Sequence, residues 1–137
     1  MYKINYFNHA VFILIISALS ILKFAGEPEI QHSKKPVVKY GIASYYAQKF
    51  NGKKTATGSI YNSKKISAAC NVLPLRTWVK VTNLKNKKWI IVRINDRLHR
   101  RNKRLIDLSK AGAQKLGYIK SGITKVKVEV IKKPPGK

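Results

Sequence analysis

The chain has 137 residues, only five carboxylates against 29 Lys and Arg, and a formal net charge of +24. This length gives room for one compact domain, and the 45% apolar content, with thirteen aromatic residues, argues against a disordered chain. The single cysteine excludes an internal disulfide, and so large a positive charge attracts anionic polymers.

The N-terminus begins with an apolar run over residues 10–22, broken only by Ser17 and Ser20. This run is short for a bilayer span and has the layout of a secretory signal, with an uncleaved, tilted anchor as the alternative. We therefore assign residues 1–25 to a signal peptide or anchor and predict export to the periplasm or cell envelope. Contact with the membrane is expected only if this segment is uncleaved. No cysteine follows the run, so we expect no lipid attachment there.

The remaining chain divides by composition. Residues 26–36 are polar, contain two prolines and are predicted to be a linker. Residues 37–131 form the predicted domain, and residues 132–137 form a basic tail rich in lysine and proline.

The domain contains several segments with strand character. Residues 37–46 have a composition typical of an extended strand. Residues 77–82 alternate valines with larger or charged side chains. Residues 83–87 are a turn, and residues 89–94 are so continuously apolar that we predict a strand buried on both faces. Residues 126–130 alternate valine with Lys127 and Glu129, which predicts a half-exposed final strand.

One helical segment interrupts the strands. Asp107 is predicted to be its N-cap, and Gly117 to end it. The residues expected on its buried face are Leu108, Ala111, Gly112 and Leu116. One short helix among several short strands predicts a mainly β protein built as a small barrel.

Few carboxylates are available for acid–base chemistry. Glu27 and Glu29 fall in the linker, which leaves Asp96, Asp107 and Glu129. Asp107 is assigned to the helix cap, and Glu129 to a solvated, charge-paired position on the last strand. Asp96 ends a strand and precedes an arginine-rich loop over residues 97–104, where it could serve as an acid or could bind main-chain amides to hold the loop.

Several motifs, in order, resemble the domain of the rare lipoprotein A (RlpA-like) family. They are Gly41–Tyr46, Phe50–Gly58, Ala68-Ala69, Leu73–Leu75, Val79–Leu84, Ile94–Arg97, Ile106–Ser109 and Leu116-Gly117. The resemblance covers residues 40–131 and implies a six-stranded double-psi β-barrel. It also implies a bacterial lytic transglycosylase that prefers peptide-free glycan strands, with cell-division proteins as further candidate partners.

The chain departs from this family at several polar positions. The family commonly has Glu at Ser59, Asp at Asn62 and His at Cys70, and Gly-Pro where Leu98-His99 stands. Asp96 keeps the family chemistry and is the predicted catalytic residue. The predicted substrate-binding residues are Tyr46, Thr55, Ser59, Asn62, Cys70, Arg97 and His99.

Three of these residues have other interpretations. Cys70 suits a small buried apolar residue, and His99 suits either an exposed loop histidine or a compensating acid near Asp96. Arg97 positions either the substrate or the loop. We expect no metal and no cofactor.

One carboxylate is chemically sufficient for a lytic transglycosylase. The acid protonates the glycosidic oxygen, and the same group then takes the proton of the sugar's own C6 hydroxyl as the anhydro ring closes, so the second carboxylate of a hydrolase is not required. Aromatic residues suited to stacking on sugars are Tyr45, Tyr46, Phe50, Tyr61, Trp78 and Trp89. Removing the peptide from muramic acid exposes a lactyl carboxylate, a negative charge that a cationic groove would attract.

Three hypotheses follow. The first is an exported, endolytic peptidoglycan lytic transglycosylase acting on peptide-free glycan strands through Asp96. The second is an expansin-like module that binds denuded peptidoglycan with little or no turnover. The third is a binder of polyanions such as nucleic acid, which requires residues 1–25 to be something other than an export signal and is not expected here.

Overall fold

The computed structural model describes residues 35–136, in which six strands close into one barrel. The strands are β1 (Val38–Tyr45), β2 (Ala68–Ala69), β3 (Trp78–Asn83), β4 (Trp89–Asp96), β5 (Ile106–Leu108) and β6 (Thr124–Ile131). Around the barrel the order is β1-β5-β2-β4-β3-β6. The β1–β5 and β2–β4 pairs are parallel, and the other four pairs are antiparallel. The predicted six-stranded barrel is confirmed, whereas the predicted signal or anchor segment and most of the linker lie outside the described residues.

Alternation of apolar and polar side chains fixes which face of each strand is inward. In β3, Val79 and Val81 are fully buried, and in β6 Val126 and Val128 are fully buried. The register places Val81 opposite Val128, so the inward faces of the two strands meet in the core. The alternation predicted for these two segments is confirmed.

Strand β4 differs from its prediction. Its burial alternates, with Ile90, Val92 and Ile94 inward and Trp89 55% exposed. The Lys80 ammonium lies 4.7 Å from the centroid of the Trp89 ring, so this aromatic side chain is partnered at the surface by a cation. The expectation of two buried faces was wrong because a continuous apolar run does not distinguish a core residue from a surface aromatic.

The helix α1 spans Lys110–Leu116 and ends at Gly117, which adopts the left-handed conformation with φ of 75°. Its N-cap is Ser109, whose hydroxyl accepts the Gly112 N–H at 3.2 Å. The helix and its stop are confirmed, but the prediction of Asp107 as N-cap was wrong. Asp107 belongs to β5, where the barrel pairs it with Ser44 of β1 and Ala69 of β2. No helix within residues 35–136 is long and apolar enough to cross a membrane.

A buried amide joins three parts of the fold. The Asn83 side chain donates to the Leu116 carbonyl at 2.9 Å and accepts the Lys85 N–H at 3.0 Å and the Thr124 hydroxyl at 2.8 Å. These bonds connect the β3–β4 turn, the end of α1 and the start of β6. Because every polar atom of this amide is partnered, its burial stabilises the connection rather than costing desolvation.

Candidate active site

A groove of about 600 Å³ opens beside the ends of β1 and β4. Its lining is mixed in character, with aromatic, cationic and acidic side chains. We call it the Asp96 groove; its lining residues are Tyr45, Tyr46, Ala47, Phe50, Lys53, Lys54, Asp96, Arg97, Leu98, His99, Asn102, Arg104 and Asp107. The groove therefore brings a carboxylate, aromatic rings and several cations to one surface.

The Asp96 carboxylate is oriented by three hydrogen bonds. Its Oδ1 accepts the main-chain N–H groups of Ala56 and Arg97, both at 2.8 Å. Its Oδ2 accepts the Tyr46 hydroxyl, also at 2.8 Å. Oδ1 thus accepts two hydrogen bonds and Oδ2 accepts one, which leaves Oδ2 with an unused lone pair. Asp96 therefore holds the loop through a main-chain amide and also lines a cavity, and its role as an acid stays a prediction.

Tyr46 is held for this contact by its neighbours. Its ring centroid lies 4.6 Å from that of Tyr61 and 5.8 Å from that of Phe50. Burial, and then the hydrogen bond to Asp96, raise the pKa of the Tyr46 phenol above its usual range. The phenol therefore stays protonated and serves as a hydrogen-bond donor to Oδ2.

The loop that follows Asp96 is fastened to residues 70–73. The Arg97 guanidinium donates from Nη1 to the carbonyls of Cys70 and Leu73, the latter at 2.8 Å. Asn71 adds a reciprocal pair, donating to the Leu98 carbonyl at 3.1 Å and accepting the Leu98 N–H at 2.9 Å. The contacts of Arg97 thus position the loop.

The other two carboxylates of residues 35–136 are paired with cations. Asp107 is buried and receives Nε and Nη2 of Arg104 at 2.8 and 2.9 Å, a bidentate pair. Glu129 accepts the Lys127 ammonium at 2.7 Å on the barrel exterior, as predicted. Within the described part of the chain, Asp96 is thus the carboxylate without a cationic partner.

A tight turn over residues 55–59 borders Asp96. The hydroxyl oxygens of Thr55 and Ser59 lie 2.8 Å apart, and the hydroxyl oxygen of Thr57 lies 3.1 Å from that of Thr55. Next to the turn is a pocket of about 270 Å³ that we call the arginine pocket, lined by Thr57, Ser59, Arg76, Arg93, Ile94 and Asn95. Asn95 lines the arginine pocket and Asp96, the next residue, lines the Asp96 groove, so residues of the two cavities meet at the end of β4.

The predicted site residues separate into three groups. Tyr46, Arg97 and His99 line the groove with Asp96, and the His99 Nδ1 accepts the Arg101 N–H at 3.3 Å. Ser59 lines the arginine pocket, and the nearly buried Thr55 supports the turn. The remaining two residues, Asn62 and Cys70, line neither cavity.

The predicted substrate contact of Cys70 is wrong, whereas that of Asn62 stays a prediction outside both cavities. Cys70 is fully buried among core residues, so its thiol has no surface for a substrate to reach and it packs as a small apolar residue. Asn62 is exposed and its side-chain oxygen accepts the Lys64 N–H at 2.9 Å, a local turn contact. We do not carry either into the proposed site.

Sequence reasoning missed several groove and pocket residues. Asp107 and Arg104 line the groove, although Asp107 had been assigned to a helix cap. Arg76 and Arg93 line the pocket from two different segments, and no local pattern joins them. The scarcity of carboxylates was the one signal that could have kept Asp107 under consideration.

The groups present suit proton transfer and glycan binding. A free carboxylate, aromatic rings and cations fit acid–base chemistry on a sugar polymer with anionic groups. Residues 35–136 contain no group of three or more His, Cys, Asp or Glu side chains placed to hold a metal ion.

Comparison with known proteins gives a consistent picture. Residues 38–128 match the family model described as lytic transglycolase, a double-psi β-barrel. The chain is 50% identical over 97 residues to an endolytic peptidoglycan transglycosylase RlpA of Haemophilus influenzae, and 54% identical over 91 residues to that of Pasteurella multocida. These alignments cover 71% and 66% of this chain but 34% and 31% of the relatives. The chain thus spans about a third of the length of these curated relatives.

Two solved structures share the fold at low sequence identity. A Streptomyces papain inhibitor aligns with a TM-score of 0.57 and 22% identity, covering 70% of this chain and 96% of the inhibitor. An expansin of Clavibacter michiganensis in complex with cellohexaose aligns with a TM-score of 0.57 and 18% identity, covering 74% of this chain and 54% of the expansin. At these identities the likeness concerns the barrel alone.

Proposed function

This chain belongs to the lytic transglycolase family of double-psi β-barrel domains, and from that membership we propose that it is an endolytic peptidoglycan lytic transglycosylase with Asp96 as its acid and base. One observation carries the proposal. Of the three carboxylates in the described residues, Asp96 alone lines a groove without a cation bound to it. A proton-transferring group must be able to gain and lose its proton beside a substrate, and the paired Asp107 and Glu129 are not placed to do so.

The reaction needs one proton in each direction. Asp96 Oδ2 gives its proton to the glycosidic oxygen as the bond from that oxygen to the anomeric carbon breaks. The C6 hydroxyl of the same sugar then bonds to the anomeric carbon and returns its proton to Oδ2, which regenerates the acid and leaves an anhydro sugar. No water is consumed, so a second carboxylate to activate water is unnecessary.

The surroundings of Asp96 support this role. The two main-chain amides on Oδ1 fix the plane of the carboxylate, and the Tyr46 hydroxyl holds Oδ2 toward the groove. Phe50 is partly exposed on the groove wall, where its ring can stack on a sugar. Lys53 and Lys54 line the same groove and provide positive charge for an anionic strand.

The preferred substrate in this proposal is a peptide-free glycan strand, which carries a lactyl carboxylate on each muramic acid. The chain's charge of +24 favours such a ligand over a neutral one. Action on peptidoglycan places the protein in the cell envelope. Partners among cell-division proteins stay a prediction.

Digestion of purified denuded strands tests the activity. The wild-type chain should release anhydro sugars detectable by mass spectrometry, and Asp96→Asn should abolish their release. Glu129→Gln is a matched control because it removes an equal charge from the barrel exterior. Equal release by the wild type and Asp96→Asn would contradict the assignment of Asp96, and no release by the wild type would contradict the activity.

A second candidate function is glycan binding without turnover. It is favoured by the altered chemistry at Ser59, Asn62 and Cys70, where the family commonly has Glu, Asp and His, because these substitutions remove three titratable side chains and leave Asp96. Binding of denuded strands by a wild-type chain that releases no anhydro sugar would establish this function instead.

A further inference from the structure

Two of the six residues that line the arginine pocket are arginines, and neither has an acidic partner among residues 35–136. Within residues 35–136 the ion pairs are Arg104–Asp107 and Lys127–Glu129, so neither Arg76 nor Arg93 is neutralised. No carboxylate lines the pocket. Two like charges beside one cavity favour an anionic ligand between them.

Arg93 is held in place with its outer amines available. Its Nε donates to the Arg76 carbonyl at 3.1 Å, and its guanidinium carbon lies 6.0 Å from the centroid of the Trp78 ring. Its two Nη amines make no hydrogen bond to protein groups among residues 35–136. The hydrogen bond at Nε and the Trp78 ring against one face therefore orient the guanidinium. A ligand can approach the edge that carries the two Nη amines.

Arg76 is presented by an unusual backbone. Its φ is 67°, in the left-handed region that residues other than glycine rarely adopt. Its N–H donates to the Ile94 carbonyl at 2.7 Å, which fixes this conformation next to the end of β4. Strained backbone of this kind tends to persist where the side chain it presents has a use.

Neutral donors complete the pocket. The hydroxyls of Thr57 and Ser59 line it, and the Asn95 side-chain amide lies 3.5 Å from the Ser59 hydroxyl. Hydroxyls, an amide and two guanidinium groups are a donor set suited to a carboxylate.

We propose that the arginine pocket binds the free lactyl carboxylate of a glycan strand held at Asp96, and so selects peptide-free strands. This inference rests on the proposed function. Asn95 of the pocket and Asp96 of the groove are consecutive, and the 55–59 turn links the two cavities, since Ala56 donates to Asp96 while Thr57 and Ser59 line the pocket. In a peptide-bearing strand the same carboxyl group is a neutral amide, which cannot pair with Arg76 and Arg93.

Binding of matched strands to the full chain tests this specificity. The chain carries Asp96→Asn so that the strands stay intact, and the ligands are denuded strands and the same strands with their lactyl carboxylates converted to primary amides. Calorimetry at about 0.15 M salt, where the Debye length is about 8 Å, limits the contribution of distant charges. We expect the free-carboxylate strands to bind about tenfold more tightly, as for a charge-assisted hydrogen-bonded pair.

The arginine variants separate the pocket from the general charge of the protein. Arg76→Gln and Arg93→Gln should each remove most of the preference, whereas Arg101→Gln, an equal charge change outside both cavities, should keep it. Circular dichroism confirms that each variant is folded. If a variant unfolds, the wild-type ratio of kcat/KM for the two strands gives the same comparison of specificity.

The outcomes distinguish this inference from the proposed function. Equal affinity for the two strands, or a preference unaffected by both arginine variants, overturns the pocket assignment even if anhydro sugars are released. A preference lost in both arginine variants supports it even if the wild type releases none. Absence of binding to either strand overturns both proposals.

Discussion

Replacing Tyr46 by Phe tests the arrangement at Asp96 with little change in packing. The substitution removes the hydroxyl that donates to Asp96 Oδ2 at 2.8 Å. It keeps the aromatic ring that packs against Tyr61 and Phe50 at centroid distances of 4.6 and 5.8 Å. The loss should therefore fall on catalysis more than on stability.

The magnitude follows from the strength of that bond. A hydrogen bond to a charged group, which Asp96 becomes once it has given up its proton, contributes about 1.5–3 kcal/mol. At about 1.36 kcal/mol for each tenfold change in rate, its loss should lower kcat by about tenfold to a hundredfold if the bond orients Asp96 during proton transfer. We expect KM to change by less than about threefold, because the bond lies between two protein groups and is not made to the substrate.

The assay is the initial rate of anhydro-sugar release from denuded strands at several strand concentrations, with the thermal unfolding midpoint measured in parallel. Tyr118→Phe is the matched control, since its hydroxyl donates to the Ser44 carbonyl at 2.7 Å and the residue lines neither the Asp96 groove nor the arginine pocket. A Tyr46→Phe variant that keeps kcat within twofold of the wild type would refute the proposed positioning of Asp96. An equal fall in kcat in the Tyr118→Phe control would refute it too.

Three further predictions concern stability. Gly41→Ala should destabilise the barrel by about 1–3 kcal/mol, as overpacking does, because the new Cβ would lie 2.6 Å from the Leu105 Cβ. Urea denaturation measures this loss. An unchanged denaturation midpoint would contradict the tight packing of Gly41 against Leu105. Asn83→Ala should lower the free energy of unfolding by about 2–4 kcal/mol because its partners lose buried hydrogen bonds. A decrease below about 0.5 kcal/mol in the same assay would show that water replaces the amide. The raised pKa values of the Tyr46 and Tyr118 phenols predict that the protein loses stability at alkaline pH. Each folded-state pKa exceeds the unfolded value of 10. The contribution of these two phenols to the free energy of unfolding is therefore full below pH 10 and falls as pH rises toward the folded-state pKa values. Thermal unfolding at pH 9 and pH 11 should show this fall, and Tyr118→Phe should reduce it; the same fall in that variant would assign the effect elsewhere.

The family motifs predict the position of Asp96 correctly but predict a substrate contact at Cys70 that the structure does not have. Motif order placed Asp96 at the end of a strand beside a loop, and the groove is found there. The motif position of Cys70 indicated a substrate contact, but its side chain is fully buried in the hydrophobic core, directly after β2. A linear motif identifies a position without specifying which way its side chain faces.

The charges show a similar division. Composition alone indicated an anion-binding protein and reduced the candidate acids to three residues. Composition does not assign partners, so the sequence predicts Asp107 as a helix cap, whereas Arg104 from the preceding loop binds it in the structure. Nor does composition bring Arg76 and Arg93 together, since one precedes β3 and the other lies in β4.

The sequence by itself determined the strands β3 and β6, the helix that ends at Gly117 and the small number of candidate catalytic carboxylates. These features depend on local periodicity, on backbone preference and on residue counts, respectively. Only the tertiary structure decided that Asp96 is the carboxylate left without a cation and that two distant arginines share a pocket beside it. Closure of the barrel sets these contacts between segments far apart in the chain, and no local pattern in the sequence specifies them.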